Sequence, residues 1–423
     1  MRLLVLPFLI IAVISCDFFH NGRTPVSEWD LLDRASHVKC ASWPQAKEVL
    51  TFNKIQTAKG PSAAFFAASV LRTGEAMSFL APFDGSYKID QDSLVPVKFG
   101  KDDMLLGITQ LHAGLLAVSF QITQDVKGAP QGLIEVRSLP NNVVLYKTKP
   151  TWSNIADGAL AATYETFSST APNGFWVTLK DGASDSDTFE DQTTETKVAF
   201  LKIPAKGAEL EVQTFNNLSF PSEVTLLPMF KQKSALAVYY DHNRVVGKDL
   251  VKGDVPLMVQ ELFEDGRHVA PKMLGIKVES NLESWAAMFF ENELYIAYID
   301  GDTMVGRANL KITKFQIAQE GMRQLWTRGF KIDNIHVSEP LWIVQRHKPH
   351  LFLLEWLDNE STLSSFPIVP ETGISEASVH GVFPKGSRIE DTLVDASDGH
   401  VYMVMRTKNK ELWNFEVCDL SEL

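Results

Sequence analysis

Short apolar runs recur along the chain, each set off by glycine, proline, asparagine or aspartate. The clearest runs are rich in β-branched and aromatic residues, as is typical of strands: GLLAVSFQI, NGFWVTLKD, SALAVYYDH, NELYIAYID, HLFLLEWLD and GHVYMVMRT. Their first apolar residues lie 50 to 60 residues apart, at Leu115, Phe175, Ala235, Leu294, Leu351 and Val401. A weaker copy, EAMSFLAPF, has its first apolar residue 39 residues before Leu115, at Ala76. A nearly constant period predicts a repeat fold.

The segments between these runs hold three further strands per repeat. After Phe175, for example, KVAFLKIP and ELEVQTFN follow, and EVTLLPMF precedes Ala235. No long segment has a helical period. Seven copies of four strands predict an all-β fold, a seven-bladed β-propeller with four-stranded blades. Two stacked β-sandwich domains are the alternative, but a near-constant spacing is not expected of them.

The last repeat lacks one strand. It contains IEDTLVDA, HVYMVMRT and KELWNFEVC, and then the chain ends. We expect EVLTFNKI, residues 48–55, to supply the fourth strand and to close the ring without an exposed sheet edge at the seam. Cys40 lies just before this segment and Cys418 ends KELWNFEVC, which predicts a disulfide between them. Two separate buried thiols are the alternative.

The first residues have the pattern of an export signal. Arg2 is followed by an apolar run from Leu3 to Ile14, which is short for a membrane span and typical of a signal peptide. Val13-Ile14-Ser15-Cys16 resembles the bacterial lipobox. The resemblance implies lipidation of Cys16 and a membrane-anchored lipoprotein of the cell envelope, on the periplasmic side, and Asp17 implies retention at the inner membrane. An ordinary secretory signal is the alternative.

These features give a predicted domain organisation. Residues 1–15 form the signal peptide, residues 16–38 carry the lipid and form a tether, and residues 39–423 form the propeller. The formal net charge is −12. A chain this acidic is a poor ligand for nucleic acid, and electrostatic attraction to anionic lipid is not expected either.

Acidic residues recur in the loops that lead into the first strand of each repeat. In the propeller fold these loops share one face with the loops between second and third strands, around the central channel. We therefore expect the acids to converge there, as a candidate binding site for a cation or for a basic or polar ligand. A solvated rim is the alternative interpretation. Ser62 takes the equivalent position in the first repeat, and the acids are Asp102, Asp103, Asp157, Glu223, Glu283, Glu339, Glu390 and Asp391.

Other motifs that would specify chemistry are missing from the sequence. There are no zinc-binding, phosphate-binding or nucleophile-elbow motifs and no repeat signatures of known propeller families, so no metal or cofactor is predicted and catalytic residues are unassigned. The sequence favours a binding or scaffold module for an envelope protein or glycan over an enzyme. The alternative is a carbohydrate-active hydrolase or lyase that uses carboxylates of the acidic loops, with Tyr239 or Tyr240, His336 and Arg346 as helpers.

Overall fold

The computed structural model describes the strands given below and the joining residues 126–129, 149–150, 203–204, 215, 218, 220, 232–233, 264–271, 291–292, 340 and 387. Strand β1 is Lys39–Trp43. The following groups of strands, in chain order, each form one antiparallel sheet: β2 Ala46–Thr57, β3 Gly60–Arg72, β4 Glu75–Phe83 and β5 Val95–Val97; β6 Met104–Leu111, β7 Gly114–Gln124, β8 Pro130–Leu139 and β9 Val143–Thr148; β10 Ile155–Leu160, β11 Gly174–Asp181, β12 Thr196–Lys202 and β13 Glu211–Thr214; β14 Val224–Met229, β15 Ser234–Tyr240, β16 Asp254–Phe263 and β17 Lys272–Glu279; β18 Trp285–Phe290, β19 Glu293–Asp300, β20 Asn309–Ala318 and β21 Gly321–Lys331.

The two remaining sheets follow the same plan with two variations. In one, β24 Lys348–Trp356 and β25 Glu360–Val369 are central, β22 His336–Val337 and β23 Leu341–Gln345 both pair with β24, and β26 Gly373–Ile374 and β27 Ser378–Pro384 both pair with β25. In the other, β28 Arg388–Val394, β29 Val401–Asn409 and β30 Leu412–Asp419 follow one another, and β1 pairs with β30.

Apolar cores fill the spaces between consecutive sheets. In β11, Phe175 and Val177 pack against Val118 of β7 in the preceding sheet, whereas Trp176 packs with Ala235 of β15 in the following one. This alternation follows from the two-residue period of a strand. It explains why the second strands are apolar almost throughout, since both of their faces are covered. Burying each large apolar side chain contributes about 1.5–3 kcal/mol.

Burial falls from the second strand of a sheet to the fourth. In the fourth strand β13, Glu211 is exposed and the other three residues are half-buried, whereas six of the seven residues of β15 are buried. The first strands of neighbouring sheets are in contact: β28 with β2, β2 with β6, β6 with β10, β14 with β18, β18 with β23 and β23 with β28. Four-stranded antiparallel sheets that pack face to face, with their first strands adjacent, are the architecture of a β-propeller.

The predicted closing strand was wrong. EVLTFNKI lies within β2, which is the first strand of its own sheet and pairs with β3. The strand that pairs with β30 is β1, further towards the N-terminus. EAMSFLAPF, which is β4, is accordingly the third strand of the first sheet and not the second, and Ser62 lies in β3 and not before a first strand.

The physical reason is that EVLTFNKI has the apolar–polar alternation of a strand, and this pattern is the same whichever sheet the strand joins. The pattern alone therefore does not assign the strand to a sheet. KCASW offers five residues and no apolar run, so its pattern gave little sign of a strand. Ala76 lies only 39 residues before Leu115, less than the 50 to 60 residues between later repeats, because EAMSFLAPF is a third strand and not a second one. The second strand of the first sheet is β3, and its start at Gly60 restores the period shown by the later repeats.

Candidate functional site

The candidate site is the face on which the chain enters the first strand of each sheet. Because each sheet runs back and forth in chain order, the loops between second and third strands lie on this same face. Two long loops, residues 182–195 and 241–253, join β11 to β12 and β15 to β16, and both lie outside the described residues. The strand ends that these long loops join therefore share one face of the fold with the starts of the first strands.

Three of the predicted acids lie in described strands. Asp157 is in β10, where its Cα is opposite that of Lys180 in β11, and Glu390 and Asp391 are in β28. Each of these strands has a register irregularity at the acid, between Ile155 and Asp157 and between Ile389 and Asp391. In β28, Glu390 is the extra residue, which lies between the two paired residues Ile389 and Asp391.

The same irregularity occurs near the start of other first strands. In β2 it lies between Ala46 and Glu48, and in β6 between Leu105 and Gly107. A bulge increases the local twist and redirects side chains, and bulges are common at barrel rims and beside functional sites. Sequence reasoning missed this feature, because an extra residue within a strand leaves no distinct mark in an apolar pattern.

The other predicted acids lie outside the described residues. By position, Asp102 and Asp103 precede β6, Glu223 precedes β14, Glu283 precedes β18 and Glu339 precedes β23. Cys16 and Arg346 also lie outside the described residues, and His336 is in β22. The structure therefore brings the strands that follow these acids together on one face and does not locate the carboxylates themselves.

One described contact fixes the chain just before Glu223. The Thr196 N–H donates to the Phe220 carbonyl oxygen at 2.9 Å, and the Phe220 N–H donates to the Thr196 carbonyl oxygen at 3.1 Å. The Phe220 ring also packs edge-on against Tyr239, with 4.9 Å between ring centroids. Both residues are buried, so Tyr239 supports the loop as part of the apolar core. This contact joins Phe220, three residues before Glu223, to Thr196 at the start of β12.

Aromatic side chains also cover the next space between sheets on this face. Trp285 begins β18 directly after the predicted Glu283 loop, and the Cα of Tyr298 in β19 is opposite it. Both are buried, and Tyr240 packs on the same core. Tyr239 and Tyr240, the residues expected to help catalysis in a carbohydrate-active enzyme, therefore both pack in cores between sheets.

A buried ion pair lies towards the opposite face, where second strands begin. The Lys314 ammonium is 2.7 Å from a carboxylate oxygen of Glu293, and the Tyr295 hydroxyl donates to that oxygen at 2.7 Å. Burial, and next the hydrogen bond to Glu293, raise the pKa of Tyr295 above its ordinary value. The Lys314 side chain is 4% exposed and lies over the Tyr295 ring, so this cluster stabilises the fold and is separate from the candidate site.

Within the described residues, no group of three or more His, Cys, Asp or Glu side chains could hold a metal ion. No helix in the same part of the chain is long and apolar enough to cross a membrane.

Comparisons with known proteins support the fold. No family model matches the chain, and no curated protein sequence does. The polysaccharide lyase Uly1 is similar in structure, with a TM-score of 0.51, 7% identity, and coverage of 90% of this chain and 98% of the lyase. At that identity the likeness shows the fold alone.

Two further solved structures have lower TM-scores. The Nup133 β-propeller domain of Vanderwaltozyma polyspora has a TM-score of 0.45 and 10% identity, with coverage of 90% of this chain and 97% of that domain. A Trypanosoma rangeli sialidase in complex with sialic acid has a TM-score of 0.40 and 9% identity. The match covers 90% of this chain and only 59% of the sialidase chain.

Proposed function

We propose that this chain is a binding or scaffold module of the cell envelope, built as a seven-bladed β-propeller whose ring is closed by β1. The pairing of β1 with β30 supports closure, as do the contacts of β2 with β28 and with β30, because they join the first and last sheets of the chain. The partner is an envelope protein or glycan.

The observation that carries the binding role is the arrangement of acids relative to the first strands. Acids lie within three residues of the start of six of these strands, β6, β10, β14, β18, β23 and β28. Most neighbouring first strands are in contact, which supports a shared rim of acids, and like charges around one opening would focus a negative potential. A basic or polar partner surface is what such a rim attracts.

The anchor belongs to the same proposal. A lipid on Cys16 would hold the propeller at the membrane and leave its loop faces accessible, with Asp17 favouring the inner membrane. The basis for this is the lipobox-like sequence Val13–Cys16.

The test neutralises the rim. Glu223→Gln, Glu283→Gln and Glu339→Gln together should leave the melting temperature unchanged or slightly raised, because they remove mutual repulsion. Capture of a defined basic probe, an immobilised oligolysine peptide, should fall about tenfold, and so should recovery of envelope partners in pull-downs. The matched control replaces Asp185, Asp187 and Glu190 of the long loop with the corresponding amides. If all three proteins capture probe and partners equally, the rim is only a solvated edge.

A carbohydrate-active enzyme is the second candidate, favoured by the fold shared with the polysaccharide lyase along nearly all of both chains. It predicts cleavage of acidic polysaccharides with a new carbon–carbon double bond in the product. To test this candidate, the full chain is mixed with a panel of uronate-containing polysaccharides, and the ultraviolet absorbance of the new double bond is followed. The Glu-to-Gln triple variant serves as the control.

A further inference from the structure

The outer strand of the second sheet has an unusual surface. In β9, three consecutive apolar residues are exposed: Val143 at 54%, Val144 at 41% and Leu145 at 46%. Within the described part of the chain, β9 pairs with β8 alone. Apolar side chains exposed together along a free sheet edge are a recognised site of association.

Outer strands elsewhere in the fold do not share this surface. The exposed residues of β21 include Arg323, Gln324 and Arg328, and the exposed residue of β13 is Glu211. Strand β17 exposes Met273 next to Lys272 but buries the following Leu274. Among the outer strands whose side chains are described, a run of three exposed apolar residues is therefore particular to β9.

The charge beside this run is positive. Lys147 and Lys149 are both exposed and follow Leu145 at intervals of two residues. The Cα of Lys147 is opposite that of Glu135 in β8, but the Glu135 carboxylate accepts hydrogen bonds from Arg137 instead. Neither lysine forms an ion pair in the described part of the chain. A local positive charge is thus left unmatched on a protein whose net charge is −12.

The register of β9 also presents Leu145 outward. Val136 of β8 is opposite Tyr146, and Arg137 is opposite Val144, so Leu145 is an extra residue in the strand. Such a bulge interrupts regular backbone pairing, so a segment that lies along β9 is held there mainly by side-chain contacts. Tyr146, by contrast, packs on the core between the second and third sheets and holds the strand in place.

We propose that β9 is a docking site for an extended peptide segment of a partner protein that carries alternating apolar and acidic side chains. Its apolar side chains pack on the face of β9 that holds Val143, and its carboxylates lie on the other face, where they pair with Lys147 and Lys149. This surface is separate from the acidic rim, so the inference does not depend on the proposed function.

Charge selects this occupant over two others. A second copy of the chain, placed edge to edge, would bring four lysines together without an acid to match them. An anionic membrane would be repelled by the net charge of the whole protein, and two lysines offer it little compensation. An acidic peptide meets the local positive charge, and salt screens its repulsion by the rest of the protein beyond about 10 Å.

The experiment uses the full chain and fluorescein-labelled peptides of roughly ten residues, the length of a long strand, followed by fluorescence anisotropy. One peptide alternates valine and glutamate, and the other alternates valine and lysine. The acidic peptide should bind, and hydrogen exchange of residues 143–148 should slow when it does. The double variant Lys147→Glu and Lys149→Glu should weaken its binding about tenfold and bind the basic peptide instead.

Matched controls separate this site from the rest of the surface. Lys272→Glu with Arg323→Glu alters two exposed cations on other outer strands and should leave binding of the acidic peptide unchanged, as should the Glu-to-Gln triple variant of the rim. Equal binding of the acidic peptide to the parent and to the Lys147→Glu/Lys149→Glu variant would overturn the proposal. So would absence of binding, dimerisation through β9, or displacement of the peptide by anionic phospholipid vesicles.

Discussion

His350 illustrates how much the surroundings of a single residue determine its chemistry. It lies near the start of β24, with its Cα opposite those of Ile343 and Pro367, and it is half-buried. Its Nδ1 atom is buried without a hydrogen-bond partner. Burial, and next the positive charge of Lys348, lower the pKa of His350 below its ordinary value of 6.5. Nothing in the sequence around His350 marks it as different from the other nine histidines.

This shift predicts a loss of stability in acid. Below pH 6.5 the unfolded chain gains a proton on His350 that the folded protein resists, so the free energy of unfolding falls as the pH decreases. Replacing His350 with leucine should reduce that slope between pH 6.5 and 5, measured by urea denaturation. The exposed His268, replaced with asparagine, is the matched control. A slope identical in the parent and in His350→Leu would contradict the prediction.

At the scale of strands, turns depend on residues close in the sequence, whereas the pairing of strands also depends on residues far apart in the sequence. The turn between β18 and β19 is local: Glu291 and Asn292 both have positive φ, of 49° and 65°, as a two-residue hairpin turn requires. Its Asn292 side chain also accepts a hydrogen bond of 3.1 Å from Gln232 in the preceding sheet. The pairing of β1 with β30 is instead non-local and joins the two ends of the described chain.

That pairing places Cys40 directly opposite Cys418, whose side chain is buried. Opposed residues of antiparallel strands have Cα atoms about 4.5–5.5 Å apart, a separation that a disulfide can bridge. We predict this bond, and Cys40→Ala should then lower the free energy of unfolding by about 2–5 kcal/mol under oxidising conditions only. Non-reducing mass spectrometry of the parent should find the linked terminal peptides. Two free thiols, or equal stability of the variant in both conditions, would contradict it.

At the scale of the whole molecule, the sheets pack in succession around a set of neighbouring first strands. This arrangement has a loop face at each end of the strands and an outer strand at the edge of each sheet. Strand β1 lies at the outer edge of the last sheet, so the tether predicted for residues 16–38 would join the fold there. A lipid on Cys16 would therefore hold the protein at the outer edge of that sheet and leave the proposed acidic rim accessible.

The anchor makes its own prediction. Cys16→Ala should abolish incorporation of labelled palmitate and release the protein from membranes, because one side chain carries the whole attachment. Envelope fractionation of the parent should recover it with the inner membrane if Asp17 acts as a retention signal. Labelling of the variant would show that the lipobox interpretation is wrong.

The sequence by itself determined the all-β class, the period of the repeats and the strands of the later sheets, because side-chain alternation and turn residues are local properties. It predicted acids in the loops before the first strands, whereas the structure has Asp157, Glu390 and Asp391 within β10 and β28. Only the tertiary structure decided which N-terminal segment completes the last sheet, that β2, β6, β10 and β28 have bulges near their starts, and that β9 is exposed whereas β15 is buried. The physical reason is that VVLYKT and SALAVYY are both apolar strands. Whether their faces meet water or another sheet depends on neighbours that are distant in the chain.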